Sequence, residues 1–320
     1  MGHIVDIPGI SVGHVTHAKD LTGVTVLVFS QAMRCGVDVR GGAPGTRETD
    51  VFNPLNLVET ADAIVLSGGS AFGLDAATGV MKRMREMGRG VPTGYLNVPI
   101  VPAAVIFDLP LSKGEVTPSA DDGYEACASA DRNTQRGCVG AGTGATVGKL
   151  YGMEYSVKSG IGSALVTGAG GISVGALIVV NALGDVIDPK TGDVVAGTLD
   201  KSKKSFVGPR KIIREITYPF MPPGSATVVG VVAVSGNYSK VDLGRIARMA
   251  HDGLARTIIP SHSMLDGDSL FAVSAGGKEF VDVSVCGALA ALAVEEAVLD
   301  AVLSATSVAG YPAVGDLAGS

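Results

Sequence analysis

The stretch Val228-Val229-Gly230-Val231-Val232-Ala233-Val234 carries no polar side chain and is dominated by β-branched residues, so it reads as a strand buried on both faces of a sheet. Just before it stand Met221-Pro222-Pro223-Gly224-Ser225-Ala226-Thr227. Two prolines fix φ there, Gly224 frees it, and two small hydroxyl residues fall where a turn meets the strand. A hydroxyl in that place can attack the peptide bond in front of it. Cleavage before Thr227 would leave an N-terminal threonine whose α-amine, with a reference pKa of about 7.7–8.0, can take the proton from its own hydroxyl. Thr227 is preferred to Ser225 because it begins the strand and its β-branched carbon has few rotamers.

Other apolar runs have the same character. Gly23–Phe29, Ala63–Leu66, Ala176–Asn181 and Phe280–Ser284 read as strands, and Ala71–Met87, Asp242–Ile258 and Ala288–Ser304 as helices. In the second helix Leu243, Ile246, Ala247, Ala250 and Leu254 form one stripe, with Arg245, Arg248 and Asp252 off it. Residues 159–183 carry no charge and are long enough to cross a bilayer, yet their glycines divide them, and Ile172-Ser173-Val174 and Ala176–Val180 read as separate strand pieces of a covered sheet. No linker or charge block divides the 320 residues, which reads as a single domain, 1–320.

Composition removes several functions. With 46% hydrophobic and 18% charged residues the chain has the means for a large core, and its net charge of −6 offers no basic footprint for nucleic acid. Cys35, Cys127, Cys138 and Cys286 lie far apart without a CxxC pair, which argues for thiols in a reducing compartment and against a zinc site. The first residues, Met1-Gly2-His3-Ile4-Val5-Asp6-Ile7-Pro8, lack a secretion signal, and a cytoplasmic location is expected. Gly140-Ala141-Gly142-Thr143-Gly144 and Gly148-Lys149 resemble phosphate loops, but neither a dinucleotide fingerprint nor a P-loop completes. A Ser/His/Asp site of Ser70 with His262 and Asp266 fails because Gly69-Ser70-Ala71-Phe72-Gly73 has one residue too many after the serine; His251 is expected to pack with its ring bonded to a neighbour.

Candidate chemistry lies elsewhere. Asp266 and Asp268 flank Gly267, a spacing that turns two carboxylates toward one region, where one can keep a proton while the other orients a nucleophile. Asn181 ends an apolar strand and its amide could donate to an oxyanion; Lys149 ends a glycine-rich loop brought close to a site. Tyr124, at the start of a helical stretch, is a further polar candidate.

Taken in order, Arg40-Gly41-Gly42-Ala43-Pro44-Gly45-Thr46-Arg47-Glu48-Thr49, Leu66–Leu74, Gly142–Lys149, Val180–Asp185, Arg245–Arg256 and Ser261–Val273 resemble the P1 family of self-processing aminopeptidases and amidases, which includes D-aminopeptidase/esterase, β-peptidyl aminopeptidase and nylon-oligomer hydrolase. The resemblance implies a four-layer αββα sandwich, self-cleavage into residues 1–226 and 227–320, and a Thr227 acyl-enzyme acting on small peptide, amide or ester substrates. It also implies site roles for Asp266, Asp268, Asn181 and Lys149, no metal or organic cofactor, and a homo-oligomer. Many relatives place asparagine before the nucleophile, where this chain has Ala226. The alternatives to a hydrolase are an acyltransferase using the same nucleophile and a catalytically silent binding protein.

Overall fold

The computed structural model describes residues 2–219, 221, 222 and 224–317; Pro223 of the junction and Met1 of the N-terminal motif lie outside the described residues. Eight main strands are β1 (Ile10–His17), β2 (Thr22–Val39), β3 (Thr60–Ser67), β4 (Ala103–Val105), β5 (Ile161–Thr167), β6 (Ser173–Asn181), β7 (Thr227–Val234) and β8 (Ser269–Ser274). The long helices are α1 (Ala76–Glu86), α2 (Ala120–Ala128), α3 (Lys240–Thr257) and α4 (Val283–Leu303).

Hydrogen bonding runs without a break through the order β5-β6-β7-β8-β2-β3-β4 and on to the short strand Thr46–Arg47, with β1 also on β2. The path nevertheless makes two layers, because β2 belongs to both. Its first part pairs with β1 from Thr22 to Phe29, its last part pairs with β8 from Arg34 to Val39, and its register against β3 slips between Val28 and Met33. An irregularity of that kind bends a strand and re-aims the residues beyond it.

Alternation along each strand then builds three cores. Leu177, Val179, Val229, Val231 and Phe271 from one sheet face Leu27, Phe29, Ile64 and Leu66 from the other. Their neighbours Ile178, Val180, Val228, Val232 and Leu270 turn outward to Leu243, Ile246, Leu254, Val294 and Val298 of α3 and α4. On the far side Val24, Val26, Ala63 and Val65 meet Ala76, Val80 and Met84 of α1 and Ala126 of α2. The layers are therefore αββα.

All eight residues of β7 are buried, as a strand with apolar faces on both sides requires. The uncharged stretch 159–183 forms the antiparallel pair β5–β6, and among the described residues no helix is long and apolar enough to cross a membrane. Two expectations need correction. The pieces around Gly175 are one strand, Ser173–Asn181, because Gly175 pairs with Leu165 of β5 and Ala233 of β7 and so carries the ladder through on both sides. Phe280–Ser284 is no strand: Phe280 stacks on Tyr238, and the Asp282 carboxylate accepts from Ser284 N to cap α4, so the β-branched residues there open a helix.

The stripe of α3 packs so tightly on β2 that a Cβ on Gly36 would collide with the backbone of Leu243 and Gly244, whereas a Cβ on Gly244 would meet nothing within 4 Å. Opposite outcomes are expected from the same change. Gly36→Ala should destabilise the fold by about 1–3 kcal/mol, and Gly244→Ala, inside a helix, should stabilise it by about 0.5–1 kcal/mol. Thermal or denaturant unfolding of both variants checks the pair.

Candidate active site

The topology brings three segments to one end of the inner sheet. β6 and β7 are antiparallel, and their last pair in that direction is Asn181 with Thr227. β7 and β8 are parallel and begin their register at Val229 and Ser269, so the residues preceding each strand also run side by side. Ala226 bridges to Asp266 in the same parallel sense. Gly267 N donates to the Ala226 carbonyl at 3.0 Å, and Ala226 N donates to Leu265 O at 3.3 Å. The Thr227 hydroxyl lies against that same Ala226 carbonyl in a very short contact.

Lys149 arrives on the loop beside β6, where Gly148 N donates to Gly184 O and Lys149 N to Leu183 O. Its side chain is fully buried, the opposite of an ordinary surface lysine. The Nζ donates to Asn181 O at 2.9 Å, Asn181 Oδ1 at 2.7 Å and Ser225 O at 3.3 Å. Three acceptors match the three donors of an ammonium. Burial pulls its pKa down to about 7, opposed by the nearby Asp266 and Asp108 carboxylates.

Asn181 is held on several sides. Its Oδ1 also accepts from Thr146 N at 3.1 Å, and its Nδ2 donates to Phe107 O at 3.0 Å. In the intact chain the N–H directed at the Ala226 carbonyl is that of Gly267. The amide of Asn181 keeps one N–H beyond its bond to Phe107.

Asp266 and Asp268 are both buried but grip different partners. Asp266 Oδ2 accepts from Ser263 N at 2.9 Å and from the Ser263 hydroxyl, and Oδ1 lies 3.5 Å from Leu183 N. Asp268 Oδ1 accepts from Val228 N at 2.7 Å, while Oδ2 takes the backbone and ring N–H groups of His262 at 3.0 and 2.7 Å. Burial first, then the charge of Asp268, raises the Asp266 pKa to about 6.

The segment Arg40–Ala43 is stitched to this loop: Arg40 N and Gly41 N donate to Asp268 O, Gly42 N to Ser263 O and Ala43 N to Asp266 O. Gly41 can be only glycine in this arrangement, since a Cβ would collide with the Asp266 carbonyl. Ser225 is buried and its hydroxyl has no partner among the described residues. Tyr124 is not brought to this cluster. Its hydroxyl donates to Glu86 at 2.6 Å, and Lys82 and Arg83 flank its ring on the surface of α1 and α2. Tyr124 falls midway along α2, not at its start, and its ring serves the contact between the two helices.

Several residues of the site region give no clear signal in the sequence. Gly267 contributes through its backbone N–H alone. Asp108, buried, accepts from Thr22 Oγ1 at 2.7 Å and Gly69 N at 2.7 Å, and burial raises its pKa. It anchors the Gly68-Gly69-Ser70 turn next to Phe107, the acceptor for Asn181. His251 packs as expected, with Nε2 on Asp38 O at 3.0 Å, and its ring meets that of His262 edge to face. Among the described residues no group of three His, Cys, Asp or Glu side chains is disposed to hold a metal ion.

The αββα layering of the chain is that of the Ntn hydrolase fold. The chain belongs to peptidase family S58, whose model matches residues 2–314. It is 42% identical over 344 aligned positions to a Mycobacterium tuberculosis protein described as an uncharacterized aminopeptidase, covering 99% of this chain and 98% of that one. It is 30% identical to the 6-aminohexanoate-oligomer endohydrolase of Paenarthrobacter ureafaciens, covering 92% and 84%. Among solved structures, a Burkholderia sp. β-aminopeptidase superposes with a TM-score of 0.73 at 23% identity, over 99% of this chain and 92% of that chain. The L-aminopeptidase D-Ala-esterase/amidase of Ochrobactrum anthropi, described as a variant of the Ntn hydrolase fold, gives 0.69 at 18% identity, over 95% and 86%. Fold and family agree on a peptidase-type hydrolase.

The Gly41 contact predicts a local lesion. Gly41→Ala should push the Asp266–Asp268 loop away from Ala226 and Thr227 and reduce amide hydrolysis by at least about tenfold, because small displacements of catalytic groups cost rate steeply. Assays beside a thermal melt check that the loss exceeds what unfolding explains.

Proposed function

We propose that the chain is a self-processing amide hydrolase that cuts itself between Ala226 and Thr227 and then works through an acyl-enzyme on Thr227. The observation that carries this reading is the convergence on one carbonyl: the Thr227 hydroxyl and the Gly267 N–H both meet the oxygen of Ala226. In maturation Thr227 Oγ attacks the Ala226 carbonyl carbon, and the oxyanion is held by Gly267 N–H with the Lys149 ammonium nearby. The C–N bond breaks, the proton given up by the Thr227 hydroxyl passes to the Thr227 nitrogen, and the acyl group rests on Oγ as an ester. Water then releases the Ala226 carboxylate. The freed α-amine serves as base in later cycles, in which a substrate amide or ester acylates Oγ, the amine or alcohol departs, and water hydrolyses the ester.

Within this scheme Asp268 fixes the strand behind the nucleophile, Asp266 and Lys149 set the local charge, and Asn181 offers its spare N–H to a substrate oxyanion. The names of the relatives support small peptides, aminoacyl amides or related oligomeric amides as substrates. Four free cysteines, three of them buried, support a reducing, cytoplasmic setting, and the family resemblance supports a homo-oligomer.

Variants at the two hydroxyls test the nucleophile. Thr227→Ala should abolish both chain cleavage and hydrolysis of aminoacyl p-nitroanilides, Thr227→Ser should keep measurable cleavage, and Ser225→Ala should leave both within about threefold of the parent, since it removes no group that acts in the transition state. Activity in an uncleaved Thr227→Ala chain would refute the scheme. Adding an amine acceptor separates hydrolysis from acyl transfer.

The pH dependence has a definite sign. Asp266 must lose its proton to help hold positive charge, so self-cleavage should rise as pH increases through about 6; Lys149 must keep its proton to steady the oxyanion, so the rate should fall as pH passes about 7. The two limbs belong to the pair and overlap. Time courses of freshly synthesised chain at several pH values should show a maximum between them. A rate that climbs steadily to pH 9 would mean that neutral Lys149 acts as a base instead.

A further inference from the structure

We infer that His262 is a positioning residue for the self-processing and hydrolytic reactions, holding Asp268 in place; this rests on the Thr227 mechanism proposed above. Asp268 is buried and works as a clamp with two ends. One oxygen accepts from Val228 N at 2.7 Å, the amide of the residue just after the nucleophile. The other accepts twice from His262, through its backbone N at 3.0 Å and through Nδ1 at 2.7 Å. A carboxylate can only accept, so the ring carries its proton on Nδ1.

The backbone of His262 adds an independent observation. Its φ is +55°, in the left-handed region that few non-glycine residues adopt, Asn, Asp and His most often among them. A backbone conformation of this kind persists where surrounding contacts hold it. Here it lets one residue offer two N–H groups to one carboxylate oxygen. Behind the ring stands His251, 4.9 Å away between centroids and bonded to the Asp38 carbonyl, with Arg40 and Arg248 on the Asp38 carboxylate. Neither His262 Nε2 nor His251 Nδ1 has a partner among the described residues. The ring is thus backed by a second ring and committed through Nδ1 alone.

This geometry has a purpose at the moment of cleavage. When the bond before Thr227 breaks, the strand loses its covalent tether, and Thr227 becomes a chain end. The hydrogen bond from Val228 N to Asp268 then fixes the new terminus, and His262 fixes Asp268.

Three variants of the full-length chain separate the N–H donor from the backbone conformation. His262→Asn tolerates the left-handed φ and places an amide N–H near the position of Nδ1. His262→Gly keeps the conformation without the donor, and His262→Gln carries its amide one bond too far. The rate at which fragment 227–320 forms, kcat and KM on an aminoacyl p-nitroanilide, and the melting temperature are read for each. We expect His262→Asn to mature and turn over within about fivefold of the parent, while His262→Gly and His262→Gln fall by about 10–100-fold in maturation and kcat with KM little changed, the scale of losing a supporting partner at a reaction centre. Parental rates in either His262→Gly or His262→Gln would overturn the inference. So would a folded His262→Asn chain as slow as His262→Gln, a comparison that holds even if His262→Gly fails to fold. A parent chain that hydrolyses amides without ever cleaving would instead remove the underlying mechanism.

Discussion

The parallel pairing of β7 with β8 is the constraint on which the site depends. Parallel neighbours present the residues before each strand at the same edge of the sheet, so Ala226 and Thr227 lie beside Asp266, Gly267 and Asp268 without any further device. The connection between those strands must then cross over, and α3 supplies the crossover on the outer face, as parallel strands require. Antiparallel β6 completes the set by ending at Asn181 opposite Thr227. A change of one residue in the β7 register would turn Thr227 to the other face of its sheet and separate it from these partners.

Buried charge at this edge is tolerated because nearly every charged atom has a partner. Lys149 spends three donors on three oxygens, Asp266 is satisfied by Ser263, and Asp268 by Val228 and His262. Removing such groups from water still has consequences: the lysine is brought to about 7 and Asp266 to about 6, so both are poised near neutrality. Such a setting suits proton transfers around one hydroxyl. It also means that substitutions here alter charge balance and geometry together, which is why unfolding measurements must accompany activity.

How much of this is legible in the sequence depends on the kind of signal. β7 is clear because an unbroken β-branched run admits few other structures, and every residue of the expected α3 stripe is buried. The αββα class comes through the ordered motifs of a family; no periodicity reveals that β2 spans two sheets by shifting its register near Val28. Asp266, Asp268, Asn181 and Lys149 do gather at one place. Tyr124 does not, since its ring serves the contact of α1 and α2. In sequence Gly267 reads only as a spacer between carboxylates, because a backbone N–H leaves no mark in residue identity. His262 reads there only as the partner of a serine, and its bond to Asp268 depends on a left-handed turn that no residue type in the segment marks.

Intact-mass measurement with N-terminal sequencing of the purified wild-type chain tests the central claim most directly. The account predicts two pieces, residues 1–226 and 227–320, with Thr227 as the first residue of the smaller one. A single uncut chain that hydrolyses amides, or a small fragment that begins at Ser225, would contradict it.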